Sequence, residues 1–419
     1  MQFKGDLDGR SLDRRVLFIS YNGMLDPLGQ TQVIPYLREL AKRGVQFTLL
    51  SFERAAAFTG GGLRQRDELA QQLQEQGIEW HWLRYHQRPS VPATIYDVIA
   101  GTRKAKSLIR RNQIGMVHAR SHIPATIALA LKRSLGTKMI FDLRGLMAEE
   151  YVDAEHWREG SLPYRMTKAA ERRIFAATDA VVTLTERIWP IIKEWDGLRG
   201  RDVHHAVVPC CVDLSLFKFS EVERRKQRAE LRLGDKFTIV YSGSLDGWYL
   251  TEQMADFFAA FRRRRSAAHL VWLTNGSHER VKQLMSSRNV PVDQFSVLSV
   301  PARAVPSYLS AADAGLSFIK RCFSKIASSP TKNAEYLACG LPLIINAGIG
   351  DSDALVNDWN AGVLLDQFND DEYARVGSLI EKMAAQPGAR QATRSVAERL
   401  FDLQTVGVER YAALYERVY

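Results

Sequence analysis

The sequence predicts an α/β protein made of two Rossmann-like domains, each containing a doubly wound parallel sheet. Short apolar runs of strand length alternate with amphipathic helical stretches along nearly the whole chain. Repeated βα units of this kind form parallel sheets covered by helices on both faces. The chain has 419 residues, which is long for a single hydrophobic core and favours two domains.

The first half of the chain contains six predicted strands, at positions 15–20, 45–51, 78–83, 114–118, 138–142 and 180–184. Residues 30–42 form a predicted helix between the first two strands, because Val33, Leu37 and Leu40 recur at helical spacing. The triple glycine at 60–62 predicts a mobile loop. Ligands of parallel sheets bind beyond the carboxyl ends of the strands, so the residues that follow each strand are candidate site residues.

The character of the chain changes near position 209, where a predicted strand runs into an extended turn at 207–213. A second βα series then follows, with strands predicted at 237–242, 269–273, 295–298, 314–318, 341–345 and 362–365. The tail from position 371 onwards is predicted to be nearly all helical. The change near position 209 therefore marks the expected domain boundary.

Composition restricts the class of partner. The formal net charge is +10, which favours nucleic acid, anionic lipid head groups or phosphorylated ligands. The polar stretch 1–15 does not resemble a secretory signal, and no apolar run approaches the ~20 residues that span a bilayer. The four cysteines have neither disulfide-framework nor zinc-site spacing. We therefore expect a cytoplasmic protein.

One loop–helix–strand stretch, residues 325–345, has the strongest local signals in the chain. Ser329 is predicted to cap the helix through its hydroxyl, and Pro330 suits the first helical position, where an N–H would be unpaired. Gly340 can adopt the left-handed conformation that ends a helix. A helix of about two to three turns therefore begins beside a loop that contains Ser328 and Ser329, here called the serine-rich loop.

The start of this helix is a predicted phosphate site. Free N–H groups and the positive end of the helix dipole favour an anion there, and Lys332 adds a full charge. Glu335 lies one turn further in, where a carboxylate can accept hydrogen bonds from the hydroxyls of a ribose. The alternative is a capped surface helix that carries a solvated glutamate and a solvated lysine.

The run Ser-Pro-Thr-Lys-x-x-Glu-Tyr-x-Ala-x-Gly-x-Pro, which starts at Ser329, resembles the donor-site signature of family 4 retaining glycosyltransferases. The run from Val208 to Phe217 is similar to the Val-Pro-Asn-Gly-Val-Asp…Phe linker of that family, with Cys-Cys in place of Asn-Gly. The resemblance spans nearly the whole chain. It implies the GT-B fold, in which two Rossmann-like doubly wound domains face a cleft.

The resemblance also implies the domain bounds and the role of each domain. Residues 1–209 would form the acceptor-side domain and residues 210–395 the domain that binds the nucleotide-sugar. Residues 396–419 would form a C-terminal helix that crosses back to the first domain. Enzymes of this family need no metal, because helix dipoles and cations do the work of Mg²⁺, and the sugar is transferred with retention of configuration.

The resemblance assigns donor-binding roles to several positions. Glu335 would bind the donor ribose, and the loop around it would hold the diphosphate. Glycine loops would face the donor phosphates at Gly29 and the transferred sugar at Gly350. The full predicted donor site is Gly29, Ser244, Lys325, Ser328, Ser329, Thr331, Lys332, Glu335 and Gly350.

The sequence departs from the family pattern at two donor-site positions. Ser328 stands where many members carry a second glutamate, and the loop at Ser244 lacks the usual arginine and lysine that neutralise the diphosphate. The missing charge must then come from the candidates Lys320, Arg321, Lys325 and Lys332. Trp248 and Tyr249, in the same loop, could stack on a base or a sugar, or equally pack in the core.

Charged and imidazole side chains follow the fourth and fifth predicted strands. Arg120 and His122 come after one strand, and Asp142 and Arg144 at the end of the next. Because unpaired charges are costly to bury, these four residues are predicted to form an acceptor site with catalytic roles, whose cations bind an anionic group. The alternative for the histidines, His118 included, is a structural role.

A run dense in aromatic and cationic residues, 80–89, suits a membrane interface or a polyanion. The alternative is a strand with a solvated end. With the net charge, this run predicts that the first domain docks on the inner face of the cell membrane, with Trp82 and Arg84 in contact with lipid.

These observations predict a retaining glycosyltransferase that moves a sugar from a nucleoside diphosphate sugar to a glycan or lipid-linked acceptor, in cell-surface polysaccharide or glycoconjugate synthesis. Its partners would be the nucleotide-sugar, the acceptor and an anionic membrane surface; no nucleic acid and no cofactor are expected. Two alternatives remain open. One is another GT-B enzyme, such as a sugar-nucleotide epimerase, and the other is a non-catalytic protein that binds nucleotide-sugars or polyanions.

Overall fold

The computed structural model describes residues 14–88 and 90–419, so residues 1–13 of the predicted polar stretch 1–15 and Pro89 of the aromatic run lie outside the described residues. The chain forms two parallel sheets. The first has the strands β1 (Arg15–Ser20), β2 (Gln46–Glu53), β3 (Ile78–Arg84), β4 (Met116–Arg120), β5 (Lys138–Asp142), β6 (Ala180–Thr183) and β7 (His204–Val207). They lie in the order β3-β2-β1-β4-β5-β6-β7.

Helices cover both faces of the first sheet. They are α1 (Pro27–Gln32), α2 (Ile34–Lys42), α3 (Gly60–Glu75), α4 (Ser90–Asn112), α5 (His122–Leu135), α6 (Met147–Asp153), α7 (Leu162–Ala177) and α8 (Trp189–Ile192). Alternate residues of β1 point to opposite faces. Val16 and Phe18 therefore belong to one core cluster, while Leu17 and Ile19 belong to the other.

The second sheet has six parallel strands, β8 (Phe237–Ser242), β9 (Ala268–Leu273), β10 (Phe295–Leu298), β11 (Ala314–Ser317), β12 (Leu343–Asn346) and β13 (Gly362–Leu365). Their order is β10-β9-β8-β11-β12-β13. The helices of this half and of the tail are α9 (Glu221–Glu230), α10 (Thr251–Arg264), α11 (His278–Ser286), α12 (Val305–Ala311), α13 (Thr331–Ala338), α14 (Ser352–Asn357), α15 (Asp370–Ala384), α16 (Ala389–Leu400) and α17 (Glu409–Val418).

The prediction of two Rossmann-like parallel-sheet domains is confirmed, and most strand bounds differ from the prediction by two residues or fewer. Two secondary-structure predictions in the first domain are wrong. The helix predicted at 30–42 is broken at Val33 into α1 and α2, because Pro35 has no N–H to continue the ladder. The glycines at 60–62 form the first turn of α3 instead of a loop.

The C-terminal segment returns to the first domain. After α16, a π-helical segment at Leu403–Val408 leads into α17, and Tyr411, Leu414 and Tyr415 of α17 pack into the same core cluster as Val16 and Phe47. None of the helices in the described ranges is both long and apolar enough to cross a membrane.

Candidate active site

The two sheets place their ligand-binding edges at a shared cleft. In the first sheet β1 lies between β2 and β4, and in the second β8 lies between β9 and β11. The direction of strand order reverses at these points, and the crevice beyond the strand ends is where such sheets bind ligands. A cavity of about 290 Å³ lies between the domains. Its lining includes Asn22, Arg120, Ser121, Arg144, Cys210, Trp248, Tyr249, Lys325, Ser328, Ser329 and Thr331.

One side of the cleft is closed by contacts between α6 and the loop before α13. The Nζ of Lys325 lies 2.9 Å from Oε1 of Glu150. The amide of Ser324 donates to Oδ2 of Asp153 at 2.9 Å, and the Nζ of Lys320 donates to the Asp153 carbonyl at 2.8 Å. Two predicted phosphate cations, Lys320 and Lys325, are thus engaged with the first domain.

The other side is closed by the loop after β6. The hydroxyl of Thr185 donates to the Ile326 carbonyl at 2.8 Å. Backbone amides of Glu186 and Arg187 donate to the Asp351 carboxylate at 2.7 and 3.2 Å. The serine-rich loop is therefore held between both domains.

Helix α13 begins one residue later than predicted. Pro330 is the residue before the helix, and no side chain caps the first turn, so the prediction that Ser329 caps the helix is wrong. The Ser329 hydroxyl instead accepts from the amide of Cys210 at 3.1 Å, because the interdomain linker passes beside the loop. The uncapped N–H groups of the first turn stay available to an anion, and Thr331 lines the cleft.

Glu335 lies one turn inside α13, as predicted, and is partly buried. Within residues 14–88 and 90–419, no residue forms an ion pair or hydrogen bond with its carboxylate. Burial raises the pKa of Glu335 to about 7, and the nearby charge of Lys332 opposes this rise. A partly buried carboxylate without a partner is costly, which is typical of a ligand-binding group.

Lys332 is almost fully buried and packs against aromatic rings. Its Nζ lies 3.5 Å from the ring centroid of Tyr249 and 4.5 Å from that of Tyr241. Burial lowers the pKa of Lys332 to about 7, and Glu335 opposes this shift. A Cβ built on Gly243 would lie 2.7 Å from the Nζ. The ammonium therefore lies beside the 243–244 loop, where the family pattern places cations.

The predicted residues of that loop have different environments. Ser244 is exposed, and its carbonyl accepts a hydrogen bond from the Tyr241 hydroxyl. Trp248 covers Lys325, whose Nζ lies 3.7 Å from the indole centroid. In this structure Trp248 and Tyr249 therefore contact lysine side chains at the edge of the cleft.

The two predicted site glycines, Gly29 and Gly350, lie where the backbone of another segment leaves no room for a side chain. A Cβ at Gly29 would lie 2.3 Å from the Gly23 carbonyl oxygen, so a side chain there would push α1 away from the loop after β1. Gly350 has φ +47° and a Cβ there would lie 2.0 Å from the Ser328 carbonyl oxygen. Its amide donates to the Lys325 carbonyl at 2.9 Å. Gly350 therefore supports the serine-rich loop from behind.

Asp142 and Arg144 form a buried pair beneath the cleft. Asp142 is 1% exposed, and its carboxylate lies 3.5 Å from the Arg144 guanidinium. It accepts from the Tyr411 hydroxyl at 3.0 Å and lies 3.4 Å from Nε2 of His118. The charge of Arg144 holds the pKa of Asp142 below its usual range even though burial raises it. Asp142 therefore positions Arg144, which reaches the cleft.

Arg120 also lines the cleft. One guanidinium nitrogen donates to Oδ1 of Asn22 at 3.2 Å, while the buried Nε has no hydrogen-bond partner in the described part of the chain. Burial and the charge of Arg144 lower its pKa. Two guanidinium groups, one buried and one partly buried, near a single carboxylate leave net positive charge on the acceptor side of the cleft.

His122 is not brought to the cleft with Arg120. Ser121 has φ +77°, and the chain turns so that His122 starts α5 and its Nε2 lies 3.1 Å from Oε2 of Glu171. His122 is buried there against Phe141. The structure therefore places the imidazole in the domain core rather than in the cleft.

Sequence reasoning missed the groups that complete this site from distant segments. Tyr411 and Tyr415 of α17 bond to Asp142 and His118, and Glu150 pairs with Lys325. The Tyr411–Tyr415 spacing of four residues predicts a shared helix face, although the partner of that face could not be read from it.

The two indoles of the aromatic run at 80–89 are buried or partly buried. Trp80 is 6% exposed and belongs to the core. Trp82 packs against the same core cluster, and the Arg66 guanidinium lies 4.6 Å from its ring centroid. The exposed described residues of the run are Arg84 at the end of β3, and Gln87 and Arg88 beyond it. The prediction that Trp82 contacts lipid is therefore not supported by its position.

Comparisons with known proteins agree with this architecture. Residues 29–216 match the family model Glycosyltransferase Family 4, and residues 223–397 match the model Glycosyl transferases group 1. No curated protein sequence matched the chain.

Several solved structures share the fold at low identity. A glycosyltransferase from Rickettsia africae ESF-5 has 12% identity and a TM-score of 0.72, covering 97% of this chain and 99% of its own. Sucrose-phosphate synthase from Thermosynechococcus elongatus has 14% identity and a TM-score of 0.70, covering 96% of this chain and 98% of its own. Anabaena Alr3699/HepE in complex with UDP-glucose has 15% identity and a TM-score of 0.68, covering 96% of this chain and 99% of its own.

Such identities show the fold alone. The two family models, however, cover both halves of the chain in order. With the two facing parallel-sheet domains, they show that this chain belongs to the family 4 glycosyltransferases of the GT-B fold.

Proposed function

We propose that the protein is a retaining glycosyltransferase that transfers a sugar from a nucleoside diphosphate sugar to a glycan or lipid-linked acceptor, in the synthesis of cell-surface polysaccharide or glycoconjugate. The observation that carries this proposal is the Glu335 carboxylate, partly buried and without a partner among the described residues, one turn inside the uncapped helix α13. Such a carboxylate suits the two hydroxyls of a ribose.

Two further observations support a nucleotide-sugar donor. The ammonium of Lys332 lies close to Glu335 and beside the 243–244 loop, so a ribose and its diphosphate would meet groups of suitable charge. The HepE structures hold UDP and UDP-glucose, which makes uridine nucleotides the first donors to test.

The geometry suits transfer on one face of the sugar. The amides that start α13, together with Lys332, would stabilise the charge that develops on the leaving diphosphate. The acceptor would enter from the side of Arg120 and Arg144. Its oxygen forms a bond to the anomeric carbon on the face from which the diphosphate departs, and a diphosphate oxygen takes the acceptor proton. This route needs no protein base, which fits the distance of His122 from the cleft.

Nucleotide-sugar screening by thermal shift, followed by product analysis, tests the proposal. We expect one class of nucleotide-sugar to raise the melting temperature and to give a glycoside with the anomeric configuration of the donor. A product with inverted configuration would contradict the retaining mechanism. A new nucleotide-sugar formed without any acceptor would instead indicate an epimerase.

A second candidate is a non-catalytic protein that binds nucleotide-sugars or polyanions. Ser328 stands in place of a glutamate, and Lys325 is already paired with Glu150, so the donor site has fewer free charges than the family pattern. Tight donor binding with neither transfer nor hydrolysis, across a broad range of acceptors, would favour this candidate.

Turnover should persist in excess EDTA, because helix amides and cations are proposed to stabilise the diphosphate in place of a metal. The measurement compares initial rates before and after exhaustive chelation. A loss of turnover that Mg²⁺ or Mn²⁺ restores would contradict this prediction.

Replacing Lys332 by Ala should weaken binding of the nucleoside diphosphate more than binding of the free nucleoside, because the ammonium is proposed to contact phosphate. A phosphate binds the protonated amine, so the diphosphate's advantage over the nucleoside should fall as pH rises through the lowered pKa of Lys332, about 7. Calorimetry one pH unit below and one above that value measures this.

The matched control is Lys282→Ala, on the exposed face of α11. The control should leave the pH dependence of the wild type intact. Lys332 would not belong to the phosphate site if Lys332→Ala weakened binding of the nucleoside diphosphate and of the nucleoside equally. The same would follow if the variant kept the wild-type pH dependence of diphosphate binding.

A further inference from the structure

Helix α4 is an amphipathic helix whose outer face is unusual. It runs over Ser90–Asn112, and its inner face packs against the first sheet through a set of buried residues. These are Ala93, Asp97, Gly101, Ala105, Leu108 and Ile109. The packing is close at Gly101, where a Cβ would lie 2.7 Å from Cδ1 of Ile127 and 2.8 Å from Cζ of Phe52. The inner face of α4 is therefore buried within the first domain.

The N-terminal half of the outer face is apolar. Val91, Ile95, Tyr96 and Ile99, here called the apolar patch, are 59%, 54%, 59% and 45% exposed. Positions 91, 95 and 99 are four residues apart, so they follow one another along one side of the helix. Scattered exposed apolar residues are ordinary, but a contiguous group on one helix face is typical of an interaction surface.

The C-terminal half of the same face is basic. Arg103, Lys106 and Arg110, here called the basic stripe, continue along the helix where the apolar patch ends. No carboxylate within the described ranges lies within ion-pairing distance of any of the three. The whole helix carries five cations, and its one carboxylate, Asp97, is buried.

The buried inner side of α4 is connected to the cleft through Asp97. The Asp97 carboxylate accepts from the Tyr21 hydroxyl at 2.8 Å and lies 2.6 Å from Nδ1 of His86. Tyr21 precedes Asn22, which lines the cleft and accepts from Arg120. One hydrogen bond and one peptide unit therefore separate the inner side of α4 from the acceptor side of the cleft.

We propose that the outer face of α4 is a membrane-docking surface for anionic lipid. An apolar end inserts into the boundary between head groups and acyl chains, while cations along the same face meet the negative head groups. The apolar and basic halves follow one another over roughly 28 Å of helix, so the helix can lie along a bilayer surface with both halves in contact with it. The net charge of +10 adds a long-range attraction to the same surface.

This surface replaces the aromatic run at β3 as the site of membrane contact, and it extends the proposed function without depending on it. Docking through α4 would bring the acceptor side of the cleft next to the bilayer. A lipid-linked acceptor could then reach Arg120 and Arg144 without leaving the membrane.

Vesicle co-sedimentation of the full chain tests the proposal. We expect binding to vesicles of phosphatidylcholine with phosphatidylglycerol and little binding to phosphatidylcholine alone. Binding should weaken with salt, because exposed charges are screened within about 8 Å at physiological ionic strength. Equal recovery with both lipids, or recovery with neither, would overturn the proposal.

Two variants separate the contributions of the two halves. Removing the three charges of the basic stripe should weaken binding to anionic vesicles by roughly fivefold for each cation. The variant combines Arg103→Gln, Lys106→Gln and Arg110→Gln. Ile95→Ser with Ile99→Ser should weaken it by about tenfold or more, because their exposed side chains lose the gain of burial in lipid. All five positions are on the surface, so the melting temperature should barely change.

Matched controls come from the second domain. Lys226→Gln, Arg264→Gln and Lys282→Gln remove the same charge from exposed positions, and Val222→Ser with Val292→Ser removes apolar side chains that are 75% and 81% exposed. These controls should bind vesicles like the wild type. If they weaken binding as much as the α4 variants, attraction is a general effect of charge and the surface is not α4.

An environment-sensitive label provides a second, independent measurement. Ile99→Cys adds an exposed thiol to a chain whose own cysteines are buried or partly buried. A fluorophore at position 99 should shift to the blue on anionic vesicles, whereas one at Val222→Cys should not. A shift in the absence of lipid that grows with protein concentration would indicate instead that α4 contacts a second copy of the chain.

Discussion

Replacing Glu335 by Gln should lower affinity for the nucleotide-sugar donor by about tenfold or more. The variant keeps the shape of the side chain but loses charge-assisted hydrogen bonds to the ribose, each worth roughly 1.5–3 kcal/mol. Without a ligand, the charge of Lys332 offsets only part of the cost of burying this carboxylate. Calorimetry with the donor and with the nucleoside alone measures the loss, and both ligands should weaken because the ribose is common to them.

The melting temperature of Glu335→Gln shows whether a loss of donor affinity comes from misfolding. A carboxyl with a raised pKa makes the folded state bind more protons than the unfolded state, so its ionisation destabilises the fold as pH rises through about 7. Above that pH, Glu335→Gln removes this cost, and the variant should melt no lower than the wild type. Unchanged donor affinity in a stable variant would remove Glu335 from the site.

Replacing Arg144 by Met should destabilise the protein by about 3–5 kcal/mol, because it leaves the buried Asp142 without its nearest opposite charge. The Asp142 carboxylate is 1% exposed and would retain the Tyr411 hydroxyl, the His118 ring and the weaker influence of the Arg120 charge. Chemical denaturation at neutral pH measures the loss of free energy of unfolding.

The pH dependence of that loss has a defined sign. A carboxyl with a lowered pKa contributes stability above its unfolded pKa, and this contribution disappears as pH falls. The difference between wild type and Arg144→Met should therefore shrink in acid. Asp142→Asn combined with Arg144→Met should recover part of the stability, since the carboxylate that loses its nearest cation is then replaced by an uncharged amide. A loss below about 1 kcal/mol would show that the pair is solvated rather than buried.

The local predictions succeeded where the physical cause is local. Strands such as β1 and β8 have the predicted bounds. A short apolar run is typical of a strand buried on both faces, and the polar or turn residues at its ends set where the strand stops. Helix α13 was predicted from Pro330 and Gly340, and it places Glu335 one turn from its start. The break at Val33 has a local cause too, because Pro35 interrupts the helical hydrogen bonds although the apolar spacing continues across it.

The site residues were predicted less completely, because their environment comes from distant parts of the chain. Lys325 was predicted as a phosphate cation, yet its ammonium pairs with Glu150, which is 175 positions away. His122 was predicted beside Arg120, yet the turn at Ser121 directs it toward Glu171. No local signal reports a partner that the chain meets only after both domains have packed.

The sequence by itself determined the two βα series, the family and the position of Glu335 on a helix that begins at the cleft. These features follow from periodicity and local backbone preferences. Only the tertiary structure decided which charges are paired. The return of α17 brought Tyr411 to Asp142 across 269 positions, and the packing of α4 left Ile95 and Arg103 on a common outer face. A charge's environment depends on everything within a few ångströms of it, and chain order does not specify that neighbourhood.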